Sequence, residues 1–152
     1  MRDAYIFDVE GTLSDFAHRL HLAPKVRSGE ENWDAFQEQF KNDPLRDDVA
    51  SLLMRLSGFG EIFISTGLPE KRRDDLFNWL DYHGLLPYIN QIFMRSEEDK
   101  AMRTVYLKIG HLRSIGNSGY KVRAIFDDRA DVCAVFAEKG ITAFNINSGA
   151  HI

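Results

Sequence analysis

Short apolar runs alternate along this chain with stretches whose apolar residues recur every three or four positions. The first run, Ala4-Tyr5-Ile6-Phe7 with Val9 beyond it, is followed by runs at 61–65, 91–94, 122–126 and 141–145. Each is short and rich in Ile, Val or Phe, the pattern of a strand. Between them, Val49, Leu52, Leu53 and Leu56 lie on one face of a helix over 48–56. Leu76, Phe77 and Leu80 mark a second helix over 74–83, stopped by Gly84; a third covers 104–114; a fourth covers 130–139 and ends at Gly140. Strands alternating with helices predict βαβ units, hence a three-layer α/β sandwich around a parallel sheet.

The first connection breaks this rhythm. From Leu13 to about Arg46 the chain is polar and interrupted by Pro24, Ser28-Gly29 and Asp43-Pro44, with one helical stretch over 32–41. Loops of this length are usually functional, and the segment 14–46 is read as a small cap inserted after the first strand. Trp33, Phe36 and Phe40, three and four apart, are expected to pack its helix down, with base stacking by one of them as the other reading.

Composition narrows the class. The 152 residues are 44% hydrophobic and 12% aromatic, enough for one core, and 1–152 is read as a single domain. The net charge of −4 argues against a general nucleic-acid coat protein, though not against contact with one chain end. The lone cysteine, Cys133, allows no internal disulfide and reads as a small buried residue. No apolar run approaches the ~18 residues of a membrane span. No signal peptide precedes the first strand, so the expected location is the cytoplasm.

The chemistry collects where strands end, which in a parallel sheet is one edge. The first run stops at Asp8, followed by Glu10, Gly11 and Thr12. Paired acids there suit a divalent cation, and one of them can attack an electrophile; the plainer reading is a turn with a solvated acid. The second run ends Ser65-Thr66-Gly67, suited to an anion or to capping the next helix. The fourth ends Phe126-Asp127-Asp128-Arg129, adjacent acids that repel unless a cation is near, although one of them could cap the next helix. Asp131 reads as a first-turn dipole residue. A lysine would complete a phosphoryl site, and Lys100 and Lys108 are the candidates.

Asp8-Val9-Glu10-Gly11-Thr12, Thr66-Gly67, a lysine within 100–108 and Asp127-Asp128-Arg129 together resemble the haloacid dehalogenase (HAD) superfamily of phosphohydrolases, whose fold is Rossmann-like. His18-Arg19, 32–36, Met94-Arg95 with Asp99, and the closing Asn147-Ser148-Gly149 make it most similar to the 3′-phosphatase domain of phage polynucleotide kinases. The Gly-x-x-x-x-Gly-Lys-Ser/Thr loop of a kinase half is absent from the sequence. The resemblance implies that Asp8 attacks phosphorus and that Glu10 serves as acid and then base. It implies that Thr66 and Lys108 hold phosphoryl oxygens, with Lys100 as the alternative lysine. It further implies Mg2+ held by Asp8, Glu10 through its backbone carbonyl, Asp127 and Asp128. Thr12, Gly67 and Arg129 would line the substrate, and Arg19 would reach toward it from the cap.

Three positions depart from that pattern: Glu10 replaces an aspartate, Leu68 an arginine and Thr104 an acid. Restoring the shorter acid at position 10 is expected to speed an otherwise intact site. The expected activity is removal of a 3′-phosphate from a polynucleotide end, or of a phosphate from a nucleotide, with His18, Arg19, His21, Lys25 and Arg27 as a basic patch. The alternatives are a phosphatase of a small metabolite and a HAD-fold binding or regulatory protein that has lost turnover. Lys71-Arg72-Arg73 opens a helix, where cations are mildly unfavourable; a phosphate partner or salt bridges to Asp74 and Asp75 would each explain it.

Overall fold

The computed structural model describes residues 1–147. Five parallel strands form one sheet in the order β3-β2-β1-β4-β5: β1 (Arg2–Phe7), β2 (Glu61–Pro69), β3 (Ile89–Arg95), β4 (Tyr120–Asp127) and β5 (Thr142–Asn145). Successive residues face opposite sides of a strand. Phe7, Ile62 and Ile64 therefore meet the helices α2 (Asp47–Leu56) and α3 (Arg73–Tyr82) through Leu53, Leu76 and Leu80. Ile6, Phe63 and Ile125 meet α4 (Thr104–Asn117) and α5 (Ala130–Glu138) on the other face through Val105, Val132 and Phe136. The three-layer sandwich expected from the pattern is present.

The strand order changes direction beside β1, since β2 and β3 lie to one side and β4 and β5 to the other. In open α/β sheets the crevice at such a point, outside the carboxyl ends of the strands, is where ligands bind. Asp8 and Asp128 follow the two strands that border it. Phe7 and Phe126, each one residue before a carboxylate, stack with ring centroids 4.4 Å apart and planes 11° from parallel. Phe144 extends the ladder 4.8 Å beyond Phe126.

The segment 14–46 leaves and returns at one place. Arg46 N–H donates to the Leu13 carbonyl at 2.8 Å, and Asp15 N–H to that of Pro44 at 3.0 Å. The stretch 32–41 is not one helix: α1 (Asp34–Glu38) gives way to a 3-10 turn at Phe40–Asn42, and a further 3-10 turn occupies Ala17–Leu22. Phe36 packs on Phe16, while Phe40 enters the main core against Trp79. Trp33 is half-buried beneath the Arg27 guanidinium, 4.6 Å from its ring. Packing thus accounts for all three aromatics.

Two boundaries differ from the pattern for physical reasons. Strand β2 runs past Thr66-Gly67 to Pro69, because a register shift after Ser65 lets Pro69 pair with Arg95. Lys71 and Arg72 bond Asp34 at 2.6 Å and Glu38 at 2.8 Å, so these cations bind chiefly acids of α1, while Arg72 also lies 4.0 Å from Asp75, one of the two acids expected. Ser148 and Gly149 lie outside the described residues. Among the described residues, no helix is long and apolar enough to cross a membrane.

Candidate active site

The loop after β1 is wound tightly around one carbonyl. The N–H groups of Thr12, Leu13 and Ser14 all point to Val9 O, at 3.1, 2.9 and 2.9 Å. Gly11 makes the turn with φ +82°, where other residues are strained. A Cβ on Gly11 would also lie 2.3 Å from Asp128 Oδ2 and 2.7 Å from the Phe16 ring. The glycine is therefore what lets the β4 acids approach the β1 acids.

One carboxylate oxygen from each of Asp8, Asp127 and Asp128 lies within 4.8 Å of the other two. Lys108, reaching in from α4 and 1% exposed, donates to Asp8 Oδ1 at 2.9 Å and to Asp127 Oδ2. Thr12 Oγ1 donates to Asp8 Oδ2 at 3.2 Å, and Asp127 Oδ1 accepts the Arg129 N–H at 2.9 Å. Thr66 is buried, its hydroxyl accepting the Leu68 N–H at 3.2 Å. Asp8, Asp127, Asp128 and Lys108, singled out from distant parts of the sequence, are thus brought together, with Thr66 on the neighbouring strand β2.

Lys100 is absent from it: its side chain is 73% exposed and pairs with Glu97. Arg129 lies at the rim, bonded to Asp131 at 2.9 Å, with Asp131 in the first turn of α5. A Cβ on Gly67 would meet only the Arg95 guanidinium, at 3.6 Å. Cys133 is buried in α5, its thiol 3.6 Å from Asp127 O. The Glu10 carboxylate is not in the three-acid group; it turns to Arg19, 2.8 Å away. Arg19 itself, wholly buried, faces Glu10 and Asp43 instead of reaching outward.

Burial first, and neighbouring charge after it, set the protonation states. Burial raises Asp128 to about 9, and the Asp8 charge beside it pushes the same way. Burial raises Asp127 to about 6 against the pull of Lys108. Burial disfavours the Lys108 ammonium, but Asp127 and Asp8 outweigh it and its pKa rises, so it stays charged. Burial also raises Glu10, opposed by Arg19. The centre therefore holds more acid than one lysine neutralises, and every donor is a hard oxygen. That donor set fits a small divalent cation, which magnesium satisfies.

This predicament has a measurable consequence. With its pKa raised from 3.8 to about 9, folded Asp128 keeps a proton that the unfolded chain gives up, so its contribution to stability falls as pH rises across that window. Asp128→Asn is expected to stabilise the metal-free protein by about 1–2 kcal/mol near pH 8 and not at all below pH 4. Thermal melts in chelator across pH check this, and a gain independent of pH contradicts it.

Two supporting groups hold the site's elements together: His111, which escaped the sequence reading, and Arg95, which entered it only within the Met94-Arg95 stretch and without a role. Buried His111, one turn beyond Lys108 on α4, lies 2.7 Å from Ser65 Oγ and 3.2 Å from Met94 O. Burial pushes it down to about 4, so it is neutral and ties the strand bearing Thr66 to the helix bearing Lys108. Arg95 donates to the carbonyls of Gly67 and Asp99 at 3.1 and 3.0 Å, fastening the loop after β3 beside Thr66. His111 has no local sequence signal, since Ser65 and Met94 are remote in the chain, whereas Asp99 stands four residues after Arg95 in the stretch already singled out.

The parallel sheet, the acids at its carboxyl edge and the buried lysine define a phosphatase of the haloacid dehalogenase type, an enzyme of phosphoester hydrolysis. The family model for the polynucleotide kinase PNKP phosphatase domain matches residues 2–151, and the chain belongs to that family. No curated protein sequence matches the chain significantly. Among solved structures, a chain of the Pnkp1/Rnl/Hen1 RNA repair complex is 21% identical with TM-score 0.74, covering 97% of this chain and 43% of that one. This chain thus spans less than half the length of that similar chain. Bacillus subtilis YfnB bound to magnesium is 14% identical with TM-score 0.66, covering 93% and 87%. L-2-haloacid dehalogenase from Xanthobacter autotrophicus is also 14% identical with TM-score 0.66, covering 94% and 76%.

Proposed function

We propose that the protein is a magnesium-dependent phosphomonoesterase that works through an aspartyl-phosphate and removes a 3′-phosphate from a polynucleotide end or a phosphate from a nucleotide. The observation that carries this reading is the convergence of Asp8, Asp127 and Asp128 around Lys108. Asp8, the Glu10 backbone carbonyl and Asp127 would hold magnesium, with Asp128 beside them. When bound, the ion offsets negative charge on the phosphoryl oxygens and on the acids.

In the first half-reaction an Asp8 oxygen attacks phosphorus. The bond from phosphorus to the ester oxygen breaks, its electron pair stays on that oxygen, and Glu10 delivers a proton there. In the second, a water oxygen attacks phosphorus while Glu10 takes a proton from the water; the bond to Asp8 breaks and inorganic phosphate leaves. Lys108 and the Thr66 hydroxyl donate to the phosphoryl oxygens. Segment 14–46 acts as a small cap, and a short cap leaves room for a chain end.

The polynucleotide substrate is supported by membership of the PNKP phosphatase family and by the RNA repair complex in which the similar chain occurs. One observation favours the small-metabolite reading: Arg19, Lys71 and Arg72 are all paired with acids of the chain itself. Rates on a 3′-phosphorylated oligonucleotide, a nucleoside 3′-monophosphate and a sugar phosphate separate the two. A clear preference for the oligonucleotide is expected, and equal rates on all three would assign the enzyme to small esters.

The geometry changes the expected sign of one substitution. Glu10 Oε2 sits 2.8 Å from Arg19 Nη2, so the longer side chain meets a cation placed to receive it. Glu10→Asp withdraws the carboxyl by about one bond length, and displacement on that scale costs ~10²-fold. A fall in kcat of that order is expected, and faster turnover would show that the Arg19 contact is incidental.

A further inference from the structure

Asp43 has no part in the reaction drawn above, yet it is among the most completely bonded side chains of the protein. It is 3% exposed. Oδ1 accepts Arg19 Nε–H at 2.8 Å and lies 2.7 Å from His18 Nε2. Oδ2 accepts Arg19 Nη2–H at 2.7 Å and Ser14 Oγ–H at 2.9 Å. Its backbone carbonyl accepts the Trp79 indole N–H at 2.9 Å, so the residue is tied to α3 in the sandwich while its side chain faces the cap.

We infer that Asp43 is a positioning residue for Glu10, acting through Arg19 to fix where the Glu10 carboxyl stands over the departing oxygen. The inference rests on the reading of Glu10 as the proton donor. Arg19 carries a rigid planar fork of five N–H groups. Asp43 takes two of them side by side, an arrangement that sets the plane of the guanidinium as well as its distance. Nη1 donates to Phe36 O at 3.2 Å, and the Phe36 ring lies 4.2 Å from the guanidinium carbon. With the plane set, Nη2 has a second hydrogen for Glu10 Oε2. An isolated Arg–Glu pair leaves both side chains free to swing together. Here the anchor is held from the sandwich, and Arg19 carries that position across to the acid.

A residue that merely staples the cap would affect every substrate alike. One that aims a proton donor matters in the first half-reaction only when the leaving oxygen needs a proton, whereas in the second, where Glu10 takes a proton from water, it matters for both esters alike. The test is therefore the single-turnover rate of leaving-group release by Asp43→Asn, which reads the first half-reaction alone, on two esters: an oligonucleotide 3′-phosphate, whose alkoxide must be protonated, and 2,4-dinitrophenyl phosphate, whose phenolate departs without help. The expected loss is about 10²-fold on the first ester and at least about tenfold smaller on the second, with KM little changed. Equal losses on both esters, or no loss on the first, overturn the inference.

Glu10→Gln assayed in parallel separates this inference from the one beneath it. If that variant discriminates between the esters and Asp43→Asn does not, only the role of Asp43 falls. If Glu10→Gln does not discriminate, the assignment of the acid falls and this inference with it. Ser14→Ala, which removes one hydrogen bond to Asp43, covers failure of the asparagine variant to fold. It should show the same selectivity at smaller amplitude, and loss on both esters alike counts against the inference.

Discussion

Lys108→Met is expected to abolish turnover and to lower the melting temperature together. The ammonium is the cation bonded to both Asp8 and Asp127, in a pocket nearly closed to solvent. Removing one partner of a buried ion pair typically costs about 3–5 kcal/mol, because the charges left behind have no counterion. The remaining acids would escape part of that cost by taking up protons. The loss of stability should therefore be smaller at pH 5 than at pH 8, and magnesium should restore part of it. Losing a donor to the developing phosphoryl charge is worth ~10²–10³ in rate by itself. Melts at both pH values, with and without magnesium, read the first effect, and steady-state rates read the second. Lys100→Met should change neither. An unaltered melt for the Lys108 variant together with a crippled Lys100 variant would reassign the phosphate lysine.

Asp8→Asn separates chemistry from folding in the opposite sense. An amide cannot form the mixed anhydride with phosphate, so a drop of ~10⁴-fold or more is expected, as for other removed nucleophiles. The fold should not suffer. Asparagine is nearly the same size, its carbonyl can still accept from Thr12, and Lys108 keeps Asp127. Relief of the repulsion that raises Asp128 should leave the metal-free variant at least as stable as the parent. Acid quenching with labelled substrate should trap a phosphorylated protein from the parent only. Activity within tenfold of the parent would exclude the covalent route.

Much of this was legible from residue order because it depends on short-range rules. Apolar alternation reported the strands, and glycine after Tyr82-His83 and after Lys139 reported two helix ends. The site acids could be found because each lies at the end of an apolar run, and topology carries such ends to one edge. What could not be read depends on contacts between remote segments. Arg19 looks like any cap cation; only the folded chain brings Asp43, 24 residues on, against its guanidinium. The pairing of Lys71 and Arg72 with Asp34 and Glu38 is equally remote, and is added to the nearer contact of Arg72 with Asp75 at 4.0 Å. Strand β2 ran long because a neighbouring arginine let its end keep pairing, a cross-strand effect that no single run reveals.

The aromatic ladder beneath the site has a consequence for its rigidity. Phe7 and Phe126 precede Asp8 and Asp127 directly, and their faces touch. The spacing of those two acids is set by the backbone pairing of β1 with β4, where the Asp8 N–H donates to the Phe126 carbonyl at 3.0 Å, and by Lys108, which bonds both; the rings fill the layer beneath. Trimming either ring to leucine would leave every ionisable group and strand hydrogen bond in the chain while removing the stacked floor under them, so a loss of stability without a change of charge is its expected mark.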